Sequence, residues 1–248
     1  MSRTYESLQG LEKEQQSSAA APLPASKASP GTVRSASTSL RVGDEEVCKL
    51  VQRVFRSDAP GAPRVVVFSG VEHGDGCTWI CSSAAMTLAA QSAARVCLVD
   101  ANLRTPSLHN VFGIPNRTGL AQAISEAGPI RSYAQQISGS NLWVIPSGVN
   151  ATQQAPGLNM DSVRQRLEEL RAEFDVVMLD TAPANLYADA VAFGRFSDGV
   201  ILVLQSNTTR RESALKAKQS CEISNVRLLG AVLNKRTYPI PQHLYDRL

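Results

Sequence analysis

Between Arg64 and Asn234 short aliphatic runs recur, each followed by a stretch of helical character, and no other feature constrains the fold as strongly. The runs are Arg64–Gly70, Val96–Ala101, Leu142–Pro146, Asp175–Thr181, Gly199–Gln205 and Leu228–Asn234. They are nearly continuous in Val, Ile and Leu instead of alternating with polar residues, the pattern of strands covered on both faces in a parallel sheet. Helices are predicted at Cys77–Ser92, Gly119–Glu126, Asp161–Phe174 and Arg211–Ser224, with Val163, Leu167 and Leu170 turned inward in the third. A further helix, capped by Asp44 and running from Glu45 to Phe55, precedes the first strand and sets Val47, Leu50, Val51 and Val54 on one face. Asp58–Pro63 breaks the chain after it. The expected fold is α/β: a doubly wound, mostly parallel sheet with helices on both faces.

Residues 1–40 are rich in Ser, Ala, Gln and Pro, bury too little to offset the entropy of ordering, and are expected to be a disordered tail. Residues 41–248 then form one domain. A net charge of +3 with no Lys/Arg-rich run argues against a nucleic-acid partner. No apolar run approaches the roughly 18 residues of a membrane span, and Met1–Ser18 is polar, so a cytoplasmic protein without direct membrane insertion is expected. The five cysteines are odd in number and irregularly spaced, as for reduced thiols. Cys77 and Cys81 lie four apart on one helix but lack the further ligands that zinc needs. Trp79 and Trp143 read as packing residues, and His73 as an exposed loop residue.

In a sheet of this kind ligands sit beyond the carboxyl ends of the strands. The first strand runs into Gly70-Val71-Glu72-His73-Gly74-Asp75-Gly76-Cys77-Thr78 and then a helix. Glycines at that junction let backbone N–H groups close around a phosphate, and the helix N-terminus adds partial positive charge. Where a P-loop has its lysine, this chain has Cys77; Thr78, whose hydroxyl can ligate Mg²⁺, follows. The second strand ends in Asp100, with Asn102 and Arg104 just beyond, and its carboxylate is placed to act as a base or to hold a metal. The fourth ends in Asp180, the form of a Walker B element. The sixth ends in Asn234-Lys235-Arg236, where an amide can read a base edge. Taken singly, each group also fits a blander role: a tight turn for the loop, helix caps for Asp100 and Asp180, turn chemistry for Asn234. Their joint occurrence at the ends of four strands is the more specific signal.

At this point the chain resembles the cytoplasmic tyrosine autokinases of bacterial capsule and exopolysaccharide systems, relatives of the septum-site and plasmid-partitioning ATPases of P-loop fold. The stretch VCLVDANLRTPSLHNVFGIPNRTGL (Val96 to Leu120) carries most of the likeness, with FDVVMLDTAP (Phe174 to Pro183), Asp189-Ala190 and GAVLN (Gly230 to Asn234). The resemblance implies ATP or ADP with Mg²⁺ as cofactor. Gly74, Asp75, Gly76, Cys77, Thr78 and Asn234 would bind the nucleotide, Asn234 facing adenine. Thr78, Asp100 and Asp180 would hold the metal, and Asp100 and Arg104 would serve catalysis. It also implies a membrane polysaccharide co-polymerase or chain-length protein as partner, recruitment to the inner face of the membrane, and homo-oligomers built through a helix of pattern E-x-x-R-x-x-R.

The departures from that family bear on the same activity. The phosphate-binding lysine is Cys77, the second Asp of D-x-D is Asn102, and the association helix reads Glu46, Lys49 and Gln52. The expected tyrosine-rich tail is reduced to Tyr238 and Tyr245. Three functions remain open on these residues: a degenerate kinase-like subunit that regulates or assembles a polysaccharide machine, an active kinase with a substitute cation from Arg104, Lys235 or a neighbouring subunit, and a partitioning-type localisation factor.

Overall fold

The computed structural model describes residues 45–55, 61–154 and 157–236, all within one compact unit, Ala36–Leu248. The tail at 1–40, the Asp44 cap, residues 58–60 of the expected break, Tyr238 and Tyr245 lie outside the described residues.

The strands are β1 (Val65–Gly70), β2 (Val96–Ala101), β3 (Gln135–Gln136), β4 (Leu142–Ile145), β5 (Val176–Thr181), β6 (Gly199–Gln205) and β7 (Leu228–Asn234). The helices are α1 (Glu45–Val54), α2 (Cys77–Gln91), α3 (Leu108–Phe112), α4 (Leu120–Ser125), α5 (Ala151–Gln154), α6 (Met160–Glu173), α7 (Asp189–Gly194) and α8 (Arg211–Ile223). The sheet runs in the order β3-β4-β2-β5-β1-β6-β7, parallel throughout except at β3. The expected doubly wound sheet is therefore the one found. It gains an antiparallel edge of two glutamines, whose composition carries no strand signal and which pair with Trp143 and Val144.

Successive residues of each strand point to opposite faces, so each run feeds two cores. Val66, Phe68, Leu98, Met178 and Ile201 pack beneath α2, and α1 lies over α2 through Val47 and Val51. Val67, Val99, Leu179 and Leu202 face the opposite layer, with Leu167 and Leu170 of α6 and Phe193 of α7. Trp143 belongs to that second core, its ring 5.7 Å from that of Phe174. Trp79 does not pack as expected: in the first turn of α2 it is 40% exposed, because that face of the helix points away from the sheet. The N-terminal end of β1 is fixed by Asp198, whose carboxylate accepts the Arg64 and Val65 N–H groups at 2.7 and 2.8 Å and pairs with Arg171. Among the described residues no helix is long and apolar enough to cross a membrane.

Burial predicts where the fold is sensitive. Leu98→Ala opens a cavity in a fully buried layer and should cost about 2–5 kcal/mol. Ile223→Ala, at a side chain left 78% exposed, should stay within about 0.5 kcal/mol of wild type. Urea unfolding of the two variants checks both values.

Candidate functional site

The loop between β1 and α2 is closed by two left-handed glycines, Gly74 (φ 88°) and Gly76 (φ 84°). Gly76 caps α2, accepting the Ile80 N–H on its carbonyl at 3.1 Å. A Cβ at Gly76 would run into the Asn234 amide nitrogen, so both backbone angle and space demand glycine there. Asp75 is buried, and its carboxylate accepts the Glu72 N–H at 2.7 Å and the Thr209 hydroxyl at 3.0 Å. From the end of β7, the Asn234 side-chain amide donates to the Asp75 carbonyl at 2.8 Å, and the Lys235 ammonium donates to the Gly74 carbonyl at 2.6 Å. Sequence reading missed Thr209. It lies just beyond β6, and extending the search to the end of that strand would have exposed the polar run Ser206–Thr209.

Beside the loop, β2 and β5 pair in a register that sets Asp100 opposite Asp180. Asp180 accepts the Thr78 hydroxyl at 2.6 Å. Asp100 accepts the Ser107 and Leu108 N–H groups, each at 3.0 Å, where α3 begins. The second oxygen of each carboxylate is buried and meets no hydrogen-bond partner among the described residues. Burial, reinforced by the Asp180 charge, pushes the Asp100 carboxyl up to about 7 against the pull of backbone N–H donors. Burial raises Asp180 to about 6, opposed by Thr78 and Cys77. The Cys77 thiol is itself held well above its ordinary range, first by burial and then by the Asp180 charge. It is therefore neutral at physiological pH and places no charge of either sign at the loop.

A cavity of about 240 Å³ opens between loop residues 70–78 and Asn102, Thr105, Ser107, Thr181 and Pro183. His73 is exposed on its rim. The Asn102 side chain is spent on a local turn, its carbonyl accepting the Thr105 N–H at 3.1 Å and its amide donating to the Thr105 hydroxyl at 3.1 Å. Arg104 does not line the cavity. Its guanidinium pairs with Asp189 at 3.1 Å and lies 4.1 Å from the centroid of the Tyr187 ring. Thus Gly74, Asp75, Gly76, Cys77, Thr78, Asp100 and Asp180 converge on one site, Asn234 braces it from behind, and Arg104 is drawn aside. A larger depression of about 890 Å³ lies near the opposite ends of the strands, beside Lys49, Arg53, Arg64 and Asp175. It has neither a glycine loop nor a carboxylate pair, so the chemistry is assigned to the smaller cavity.

The donor set fits a hard divalent cation with a polyphosphate. Two orphaned carboxylate oxygens and the Thr78 hydroxyl supply the oxygen ligands such an ion prefers, and the loop N–H groups at the head of α2 suit the anion. Among the described residues no cluster of three or more His, Cys, Asp or Glu side chains forms a separate metal site.

Residues 64–227 match the sequence model of the family described as the cellulose biosynthesis protein BcsQ. Over 145 residues the chain is 33% identical to the tyrosine-protein kinase YwqD of Bacillus subtilis (strain 168), covering 58% of this chain and 61% of that protein, short of two thirds of its length. The kinase domain of the Escherichia coli tyrosine kinase ETK has the same fold at a TM-score of 0.64 and 27% identity, over 72% of this chain and 71% of that one. A plasmid partition protein from Borrelia burgdorferi B31 bound to AMPPNP shares the fold at a TM-score of 0.61 and 18% identity, over 75% and 80% of the respective chains.

The raised carboxyl groups fix a pH response. Both acids hold their protons more tightly in the folded chain than in the unfolded one, so the native state binds extra protons between about pH 4 and pH 7. Stability in metal-free buffer should be greatest at the acid end of that window and fall as the pH rises through it. Asp100→Asn keeps the acceptor for Ser107 and Leu108 but cannot ionise. It should melt higher than wild type at pH 8 and show a flatter profile, read by thermal denaturation across pH.

Proposed function

From a chain that belongs to the family of the cellulose biosynthesis protein BcsQ, we propose a kinase-like subunit that takes ATP or ADP with Mg²⁺ but transfers phosphate poorly, serving to regulate or assemble a bacterial polysaccharide synthesis and export machine. One observation carries this reading: the paired carboxylates, Thr78 and the glycine loop converge, while the position that should hold the phosphate-binding lysine is a half-buried, neutral thiol beside Asp180.

In this reading Thr78, Asp100 and Asp180 hold the magnesium ion, whose chemistry is to neutralise charge on the phosphates. The loop N–H groups from Gly74 to Thr78 bind the phosphate chain. Asp100 would serve either as a ligand of the magnesium ion or, where Thr78 and Asp180 alone hold it, as general base for an attacking hydroxyl. Asn102 cannot share that task, being neutral and tied to Thr105. Loss of one preorganised charge at a transferring phosphoryl group costs about 3–4 kcal/mol, roughly a hundredfold to a thousandfold in rate. The intact scaffold therefore supports binding while the lost lysine argues against fast transfer.

The tyrosine-protein kinases among the relatives support a place in capsule or exopolysaccharide synthesis, and the family description supports cellulose as one such polymer. The partner proposed is a membrane co-polymerase or chain-length protein that holds this subunit at the inner face of the membrane. Homo-oligomers would form through α1, where Lys49 now pairs within its own helix with Glu45 and Glu46 at 2.9 and 3.0 Å, leaving Gln52 uncharged.

The test is phosphate incorporation from MgATP into tyrosine, including Tyr238 and Tyr245, by the purified full chain beside Cys77→Lys. Wild type should label at least about a hundredfold more slowly than an active lysine-restored variant, or not at all. Rapid wild-type labelling would overturn the reading.

A further inference from the structure

The site has a deficit of positive charge that the loop itself does not repair. Asp75, Asp100 and Asp180 bring three carboxyl groups to the cavity or beneath its wall, position 77 holds a cysteine where a lysine would stand, and Arg104 is engaged by Asp189. A nucleotide polyphosphate entering such a site with one magnesium ion still carries net negative charge against a partly negative wall. Lys235 changes that balance. Its ammonium already touches the loop, donating to the Gly74 carbonyl at 2.6 Å, with the Gln205 side-chain oxygen at 3.4 Å. Both are neutral acceptors, and among the described residues Lys235 makes no ion pair, so its charge is not cancelled in place.

The backbone carries a second, independent mark. Lys235 is left-handed, at φ 54°, a conformation uncommon for a residue with a side chain and one that concentrates at ligand sites. The strand end holds it there: the Lys235 N–H donates to the Asn234 side-chain oxygen at 2.8 Å, while the Asn234 amide reaches the Asp75 carbonyl at 2.8 Å. Those two bonds tie the last residue of β7 to the loop and turn the next side chain back over it.

We propose that Lys235 is the phosphate-binding cation of this site, supplied from the end of β7 in place of the lysine missing at position 77. The inference rests on the nucleotide reading above and deepens it by naming the residue that makes binding possible. Lys235 touches the loop from outside the residues that line the cavity, and its flexible four-carbon stem with three donors is what would carry the ammonium from the Gly74 carbonyl to a phosphate oxygen. The geometry also accounts for a neutral residue at 77, since a second ammonium there would compete for the same phosphate oxygens.

Calorimetry on the full chain with MgADP and, separately, with inorganic tripolyphosphate tests this in wild type, Lys235→Gln, Cys77→Lys and the double variant. Lys235→Gln keeps a hydrogen-bond donor at the position and drops the charge. It should weaken both ligands about tenfold to a hundredfold, the range of a charge-assisted hydrogen bond. It should also flatten the salt dependence, because a cation has been removed. Cys77→Lys in that background should restore both. Unchanged binding in Lys235→Gln overturns the proposal. So does a loss that Cys77→Lys fails to restore, which would make Lys235 a brace for the loop. If wild type is silent and Cys77→Lys alone binds, the proposal falls, and nucleotide binding by the native chain falls with it, leaving a pocket disabled at position 77. Silence from all four proteins removes the nucleotide reading and the proposal together.

Discussion

The pairing of β2 with β5 decides what this molecule can do. A parallel register that places Asp100 against Asp180 puts two carboxyl groups side by side at the ends of fully buried strands. Two such groups resist ionising together in a low dielectric, and burial holds both above their ordinary range. The structure accepts this cost with few compensations: two backbone N–H groups for one carboxyl, a hydroxyl for the other, and an orphaned oxygen on each. Carboxyl groups left half-satisfied in a core are poor stabilisers and good metal ligands, because a divalent cation relieves the repulsion and the missing contacts at once.

The glycine loop depends on the same sheet from its other side. Two residues from the end of β7, Asn234 and Lys235, bond to successive loop carbonyls, and Thr209, just beyond β6, bonds to the Asp75 carboxylate. The loop is thus fixed by segments more than 130 residues away in the chain. This bracing keeps the left-handed glycines in place without help from position 77. The Cys77 thiol feels the Asp180 charge, which helps hold it protonated, and it brings no charge of its own to the loop. A cysteine at position 77 therefore leaves the loop without a cation of its own while the bracing holds its shape.

The amino-acid sequence by itself determined the sheet, the two-faced burial of its first five aliphatic runs and the strand ends at which to look for ligands. The same pattern predicts cover for the last run, β7, but among the described residues this edge strand is half-exposed, with Leu233 60% exposed. Unbroken aliphatic runs have one economical solution, burial on both faces between helices, and that solution does not depend on distant contacts. It also marked Gly76 and Thr78, since a strand-to-helix turn of that shape is a local matter. It did not reveal the glutamine edge at β3, the short helices α3, α5 and α7, or the exposure of Trp79. Segments of two to six residues are too short to show a period, and their form is set by what they pack against. Only the tertiary structure decided where the charges go. Arg104 lies close in sequence to Asp100 yet is drawn away by Asp189 and Tyr187, while Lys235, separated by 161 positions from Gly74, sits on its carbonyl. A long cationic side chain goes to whichever acceptor the fold brings within reach, and strand order, not sequence spacing, sets that distance.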